Sequence, residues 1–260
     1  LILDLASVSH DVDGRPVLRD LTFTVREGER VVVLGVNGCG KTTLLKILDG
    51  LQFPGGGAVR YDGRALDARA LADPAFRRTF RGEVAFLFQN VDAMLFNPSV
   101  ADEIAFGPRQ LGLADVDGRV ERWAAAFDLV PVLGRPPFEL SGGEKKRVAL
   151  AALLAADPRL LLLDEATANL DPAWAGRLVD LLAARKDLTV VAATHNLSIA
   201  EELGSRAILL APGRPGLLFD GPSATLLRDP VLLVRSGLAH RHVHAHDGTD
   251  HAHFHVHDVE

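Results

Sequence analysis

Eight consecutive residues carry the pattern that phosphate chemistry needs. Gly35-Val36-Asn37-Gly38-Cys39-Gly40-Lys41-Thr42 matches G-x-x-x-x-G-K-[ST] at every fixed position. Glycines let backbone N–H groups turn inward around a phosphate, and a following helix adds the positive end of its dipole. Lys41 is expected at the β- and γ-phosphates and the Thr42 hydroxyl on Mg²⁺, with Gly35, Asn37, Gly38, Cys39, Gly40 and Thr43 completing the nucleotide contacts. A second segment, Leu160-Leu161-Leu162-Leu163-Asp164-Glu165, is an apolar strand ending in two carboxylates. Asp164 is placed to hold Mg²⁺, usually through water, and Glu165 to polarise an attacking water. Alone, that segment reads equally as a buried strand with an acidic cap. Beside a phosphate loop it reads as the hydrolytic half of a nucleotide site.

The elements that must position these groups are legible around them. Val31 to Leu34 is an apolar, β-branched run, which predicts a buried strand leading into the loop. Lys41 to Leu48 has helical composition and stops at Asp49-Gly50. Further buried strands are expected at Val84–Phe88, Leu160–Leu163, Leu188–Ala193 and Ala207–Leu210. Helices are expected at Glu144–Ala156, Pro172–Arg185 and Leu197–Leu203. Leu1 to Arg26 reads as short strands around a turn at Asp13-Gly14. Strand–helix alternation implies an α/β fold with a mostly parallel sheet covered on both faces. From about Asn90 to Ser141 the chain is helical and punctuated by five prolines, which reads as an inserted helical lobe. The main domain is expected to span residues 1–236, and residues 237–260, polar and His-rich, read as a flexible tail.

Composition narrows the function classes. The chain has 260 residues, 48% of them apolar, and a formal charge of −6. That balance disfavours a dedicated nucleic-acid binder. Cys39 is the sole cysteine, so no internal disulfide forms; beside a helix N-terminus and Lys41 it is expected to favour the thiolate. No apolar run approaches the roughly 18 residues that spanning a bilayer requires. The first apolar stretch is broken by Asp4, unlike a secretory leader. The expectation is a cytosolic protein that reaches any membrane through a partner.

Leu140-Ser141-Gly142-Gly143-Glu144, just before a helix, resembles the signature of ABC ATPases. The resemblance covers about residues 1–235 and implies a P-loop NTPase core with N-terminal antiparallel strands and an inserted helical subdomain. It implies that Ser141, Gly142 and Gly143 face the γ-phosphate of a nucleotide held by a second subunit, so that two chains sandwich two ATP molecules. It further implies that Gln89 touches Mg²⁺ and senses a transmembrane partner. Ala168 to Asp171 would form a dimer-contact loop in which Asp171 serves the nucleotide site, and His195 would contact the γ-phosphate. The family commonly stacks adenine on an aromatic residue about 25 positions before the phosphate loop, where this chain has His10, a weaker stacking partner. Ala166 stands where many relatives carry proline.

The segment Asp92 to Arg109, with its Leu-Phe, Val, Asp and Ala-Phe-Gly-Pro pattern, resembles the energy-coupling-factor ATPases. There Met94, Leu95 and Phe96 would meet a helix of the membrane scaffold. Eight of the ten histidines lie in the tail, alternating at His240, His242, His244 and His246 and again at His251, His253, His255 and His257. Neutral imidazoles suit Ni²⁺, Co²⁺, Cu²⁺ and Zn²⁺. Without a cysteine among them, a closed structural zinc site is disfavoured. The combination is similar to the cobalt/nickel branch of that family. It implies an ATPase peripheral to the cytoplasmic face of the membrane, paired with a second ATPase subunit and a membrane scaffold. The alternatives are an importer for a vitamin or another substrate, or a soluble ABC protein acting on ribosomes or DNA. Those soluble members carry tandem domains or long coiled coils, neither of which is seen here.

Overall fold

A computed structural model describes the chain except residues 212–215, 247–248 and 257–260, and from His240 to Val256 it describes the backbone alone. The chain forms two compact units, residues 1–71 with 190–260, and residues 72–189.

In the first unit, β1 (Leu3–Val12) and β2 (Arg15–Val25) pair antiparallel around Asp13-Gly14. Both turn residues have positive φ, 50° and 72°, as a two-residue hairpin turn requires. β4 (Gly56–Tyr61) joins the other edge of β1 and is followed by β5 (Arg64–Ala65) and the short α2 (Ala68–Ala72). The second layer is built on β3 (Arg30–Leu34), flanked in parallel by β8 (Thr189–Thr194) and β9 (Arg206–Leu209). β10 (Phe219–Pro222) pairs antiparallel with β9. Val31 to Leu34 are fully buried, as expected of a strand covered on both faces. α1 (Lys41–Leu48) follows the phosphate loop. α8 (Ala200–Leu203) starts later than the composition predicts, because the Asn196 carboxamide accepts from the Ser198 N–H at 2.8 Å and holds a turn there.

After α9 (Ser223–Leu227), α10 (Pro230–Ser236) is capped by Asp229, opened by Pro230 and stopped by Gly237 at φ 81°. Leu233, Leu238 and Ala239 then pack in one cluster with Val32 and Leu34. The buried body of this unit therefore runs past the expected limit at 236. Beyond it, where composition reads as a flexible tail, β11 (Ala239–His246) pairs antiparallel with β12 (Thr249–Val256). The reason is period: histidine alternates there with Ala, Val, Arg and Phe, and alternation at two residues is a strand pattern. His257 lies outside the described residues.

In the second unit, α3 (Pro74–Glu83) is capped by Asp73 and leads into β6 (Val84–Leu87). β7 (Leu160–Asp164) runs parallel to β6, from Val84 opposite Leu160 to Leu87 opposite Leu163. Between them lie α4 (Val100–Leu111), α5 (Val116–Ala126) and α6 (Gly142–Ala155), and α7 (Pro172–Ala184) follows β7. Trp174 of α7 stacks on Phe127 and lies 4.6 Å from each of the Arg147 and Arg177 guanidinium groups, tying α7 to α6. Among the described residues, no helix is long and apolar enough to cross a membrane.

Glu103 of α4 is 4% exposed, and its Oε2 accepts the N–H groups of Phe96 at 3.0 Å and Asn97 at 2.8 Å. It thereby holds the segment that precedes the helix. Glu103→Ala leaves both donors without this acceptor, at a cost of about 1–3 kcal/mol. The expected result in denaturant melts is a lower midpoint, with faster amide exchange at Phe96 and Asn97; wild-type exchange at those two amides would contradict it.

Candidate active site

The phosphate loop leaves the buried end of β3 and must double back within six residues to start α1. Gly38 and Gly40 turn it, with φ 80° and 103°. Space decides the rest. A Cβ on Gly40 would lie 2.7 Å from Leu18 Cδ2, and one on Gly35 would collide with Cys39 Sγ. At Gly38 nothing lies within 4 Å of that position, so the tip of the loop is open. Asn37 is exposed, and Thr42 and Thr43 are half-buried in the first turn of α1. Lys41 is 6% exposed, and its Nζ donates to the carbonyls of Gly35 at 2.7 Å and Val36 at 3.3 Å. The ammonium is thus held at the loop by main-chain oxygens.

Strand register places two further residues relative to this loop. Leu34 of β3 pairs with Thr194 of β8. Gly35 and His195 therefore follow paired residues at neighbouring carboxyl ends, where α/β sheets bind their ligands. On the β1–β2 hairpin His10 lies opposite Leu18, the residue packed on Gly40. The His10 Nδ1 is buried without a hydrogen-bond partner.

The second unit repeats the arrangement. Leu87 pairs with Leu163, so Gln89 and the pair Asp164-Glu165 emerge from adjacent strand ends. Gln89 is exposed, whereas Asp164 and Glu165 are buried. Glu165 has φ 49°, a left-handed conformation that is uncommon outside glycine, Asn and Asp. Carboxylate, hydroxyl and carboxamide oxygens are the donors that Mg²⁺ prefers, so Asp164, Thr42 and Gln89 suit that ion chemically.

Ser141 opens α6 through a reciprocal cap. Its N–H donates to Glu144 Oε2 at 2.9 Å, its hydroxyl donates to the same oxygen at 2.7 Å, and it accepts from the Glu144 N–H at 3.3 Å. The Ser141 hydroxyl, followed by the Ser141 backbone N–H, holds the Glu144 carboxyl below its usual range. The cap holds Ser141 at the N-terminus of a 14-residue helix that opens with Gly142 and Gly143. Asp171 is the N-cap of α7, accepting from the Trp174 N–H at 3.0 Å, and is exposed.

Lys146 escapes a motif search. It is 2% exposed, and its Nζ donates to the Glu165 carbonyl at 2.9 Å and the Ala168 carbonyl at 2.5 Å. Burial pushes the ammonium below its ordinary value, while the Glu165 and Asp164 carboxylates pull the other way. The available signal was a lysine on the apolar stripe it shares with Leu150 and Leu154.

Cys39, expected from sequence to be a reactive thiolate, is 3% exposed, with its sulfur against Gly35. Access therefore outweighs the dipole. Maleimide is expected to label the folded chain at least about tenfold more slowly than the urea-unfolded chain, since attack requires an accessible thiolate. Equal rates would show that the thiol is open.

The family model described as ABC transporter matches residues 18–168, from the strand supporting the phosphate loop to the segment after Glu165. Among curated relatives, the nickel import ATP-binding protein NikO of Rhodobacter capsulatus is 42% identical over 242 residues, 90% of this chain and 94% of NikO. The energy-coupling factor transporter ATP-binding protein EcfA of Methanothermobacter thermautotrophicus is 38% identical over 243 residues, covering 91% of this chain and 76% of EcfA. Among solved structures, cbiO1 of Clostridium perfringens, part of the ABC transporter complex cbiONQ, superposes with a TM-score of 0.75 at 26% identity, covering 91% of this chain and 94% of cbiO1. The family model spans more than half of the chain and includes both the phosphate loop and the carboxylate pair, and the chain belongs to the ABC transporter ATP-binding family.

Proposed function

We propose that this ABC ATPase powers an energy-coupling-factor importer for nickel or cobalt ions. Two ATP-binding subunits act as a pair at the cytoplasmic face of an integral-membrane scaffold, with no nucleic acid involved. The observation that carries the metal assignment is the similarity to NikO along nearly the whole of both chains. Two local features support it. Phe96 is 66% exposed and packs edge-on against Phe106 at 4.9 Å, giving the segment pinned by Glu103 an apolar face for a membrane partner. Met94 and Leu95 are half-buried, and the Met94 sulfur accepts from the Phe88 N–H at 3.4 Å, so Phe96 is the outward member of that trio. In the hairpin, His240 is in register with His255, His242 with His253, and His244 with His251. Three cross-strand histidine pairs give this segment the ligand type that Ni²⁺ and Co²⁺ favour.

In hydrolysis, Lys41 and the loop amides bind the triphosphate, and Glu165 orients the attacking water and takes up its proton. His195 holds the γ-phosphate, and His10 lies beside the base. Mg²⁺, when bound, neutralises charge on the β- and γ-oxygens. Its assignment to Thr42, Gln89 and Asp164 rests on the donor chemistry and the family pattern. Ser141 and the Gly142 and Gly143 amides complete the site of the partner subunit, and Asp171 anchors the contact loop beside it.

Glu165→Gln keeps the shape of the side chain and removes its basicity. ATP turnover is expected to fall roughly 100-fold or more, with MgATP affinity retained in equilibrium binding. Near-normal turnover would remove Glu165 from this role.

The hairpin is tested separately. Because Leu238 and Ala239 are buried with Leu34, a cut after Gly237 would damage the unit that bears the phosphate loop. The informative truncation ends at Ala239. Calorimetry with Ni²⁺ and Co²⁺ is expected to show binding by the full chain, weakening below about pH 6 as protons compete for imidazole. The truncated chain should bind neither ion and hydrolyse ATP at the full-length rate. Unchanged metal binding after truncation would refute the hairpin as a metal site.

A further inference from the structure

α6 touches two functional segments at once. Its first turn carries Ser141-Gly142-Gly143, which in the reading above faces the nucleotide of the partner subunit. Its next turn carries Lys146, whose ammonium is bound to the carbonyls of Glu165 and Ala168. Those carbonyls bracket the loop that contains the hydrolytic carboxylate. The loop is held in an unusual shape, with Glu165 at φ 49° and Asn169 at φ 64°, and a strained backbone persists only where its surroundings over-determine it. A buried ammonium cannot surrender its hydrogen bonds cheaply, so the helix and the loop are fastened together. Gly143 reinforces the join, since a Cβ there would lie 3.4 Å from the Asn169 carbonyl oxygen.

We infer that Lys146 is a positioning residue that couples the two nucleotide sites of the paired subunits. A phosphate arriving at the N-terminus of α6 fixes that helix, and Lys146 passes the constraint to the main chain of Glu165, which serves the nucleotide bound by its own subunit. Hydrolysis at each site then depends on occupancy of the other. This inference rests on the paired-subunit reading of the proposed function. It extends that reading by naming the atoms that carry the coupling: Nζ of Lys146 and two carbonyl oxygens.

The test compares the full-length wild type with Lys146→Met, which keeps length and removes the donors, and Lys146→Gln, which retains N–H donors on a shorter side chain. Steady-state hydrolysis is measured against ATP concentration. Wild type is expected to show a Hill coefficient above 1. For Lys146→Met, kcat should fall about tenfold or more with KM within about threefold, since the loss is confined to the reacting state. Its Hill coefficient should drop to 1 as coupling is lost. Lys146→Gln should recover part of both kcat and cooperativity. A Lys146→Met enzyme with unchanged kcat overturns the inference. So does one that loses kcat while keeping wild-type cooperativity, and so does a Lys146→Gln enzyme no better than Lys146→Met, because a merely structural tie predicts those results. Sedimentation of the Glu165→Gln chain with MgATP separates this failure from that of the underlying reading. If it never pairs, the paired-subunit reading falls and the coupling with it; if it pairs and the kinetics fail, the coupling alone falls.

Discussion

The molecule depends on how closely its backbone can approach itself between Gly35 and Lys41. A phosphate site made of main-chain N–H groups has no room for side chains on its inner side. Here Gly35 is closed off by Cys39 and Gly40 by Leu18, while Gly38 faces open space. The loop is therefore supported from behind and bare in front. Support comes from both layers of the first unit. β3 is buried from Val31 to Leu34, and the β1–β2 hairpin delivers Val17 and Leu18 to the back of the loop. Val36 packs against the same apolar cluster that takes in Leu238 and Ala239 from the C-terminal segment.

The second unit solves a related problem with charge. Glu165 follows a strand buried along its whole length, and the loop that it opens turns through left-handed residues. Loops of that shape need partners for their carbonyls. Lys146 supplies two hydrogen bonds from a side chain that is itself buried, and the Glu165 and Asp164 carboxylates help to offset the cost of burying its charge. The same helix begins with the Ser141–Glu144 cap. One 14-residue helix thus joins the Ser141–Glu144 cap to the main chain of Glu165.

The phosphate loop, the strand before it and the acidic strand were legible in sequence because each is specified by neighbours within about ten residues. The family followed from the signature pentapeptide, and the family model bears it out. What sequence left unread depends on distant partners or on a competing local pattern. Lys146 finds its acceptors about 20 positions away. Glu103 looks like any helical glutamate until its bonds to Phe96 and Asn97 are seen. α8 is shorter than its composition suggests because an Asn196 turn competes with the helix. The β11–β12 pairing follows a period of two that the polar, His-rich composition masks. The reactivity expected of Cys39 considered charge and not the packing of its sulfur on Gly35.

The phosphate loop and the histidine hairpin both belong to the first unit, with Leu238 leading from the core into β11. Leu238 and Ala239, which enter that hairpin, pack with Val32 and Leu34 of the strand before the phosphate loop. The most direct measurement of the proposed import role is the nickel and cobalt content of the native host, grown in limiting metal, after its own copy is replaced by the Glu165→Gln form. The account predicts that the nickel content falls to the level of a strain lacking the chain, with transition metals other than nickel and cobalt unchanged. Wild-type nickel and cobalt contents in that strain would contradict it.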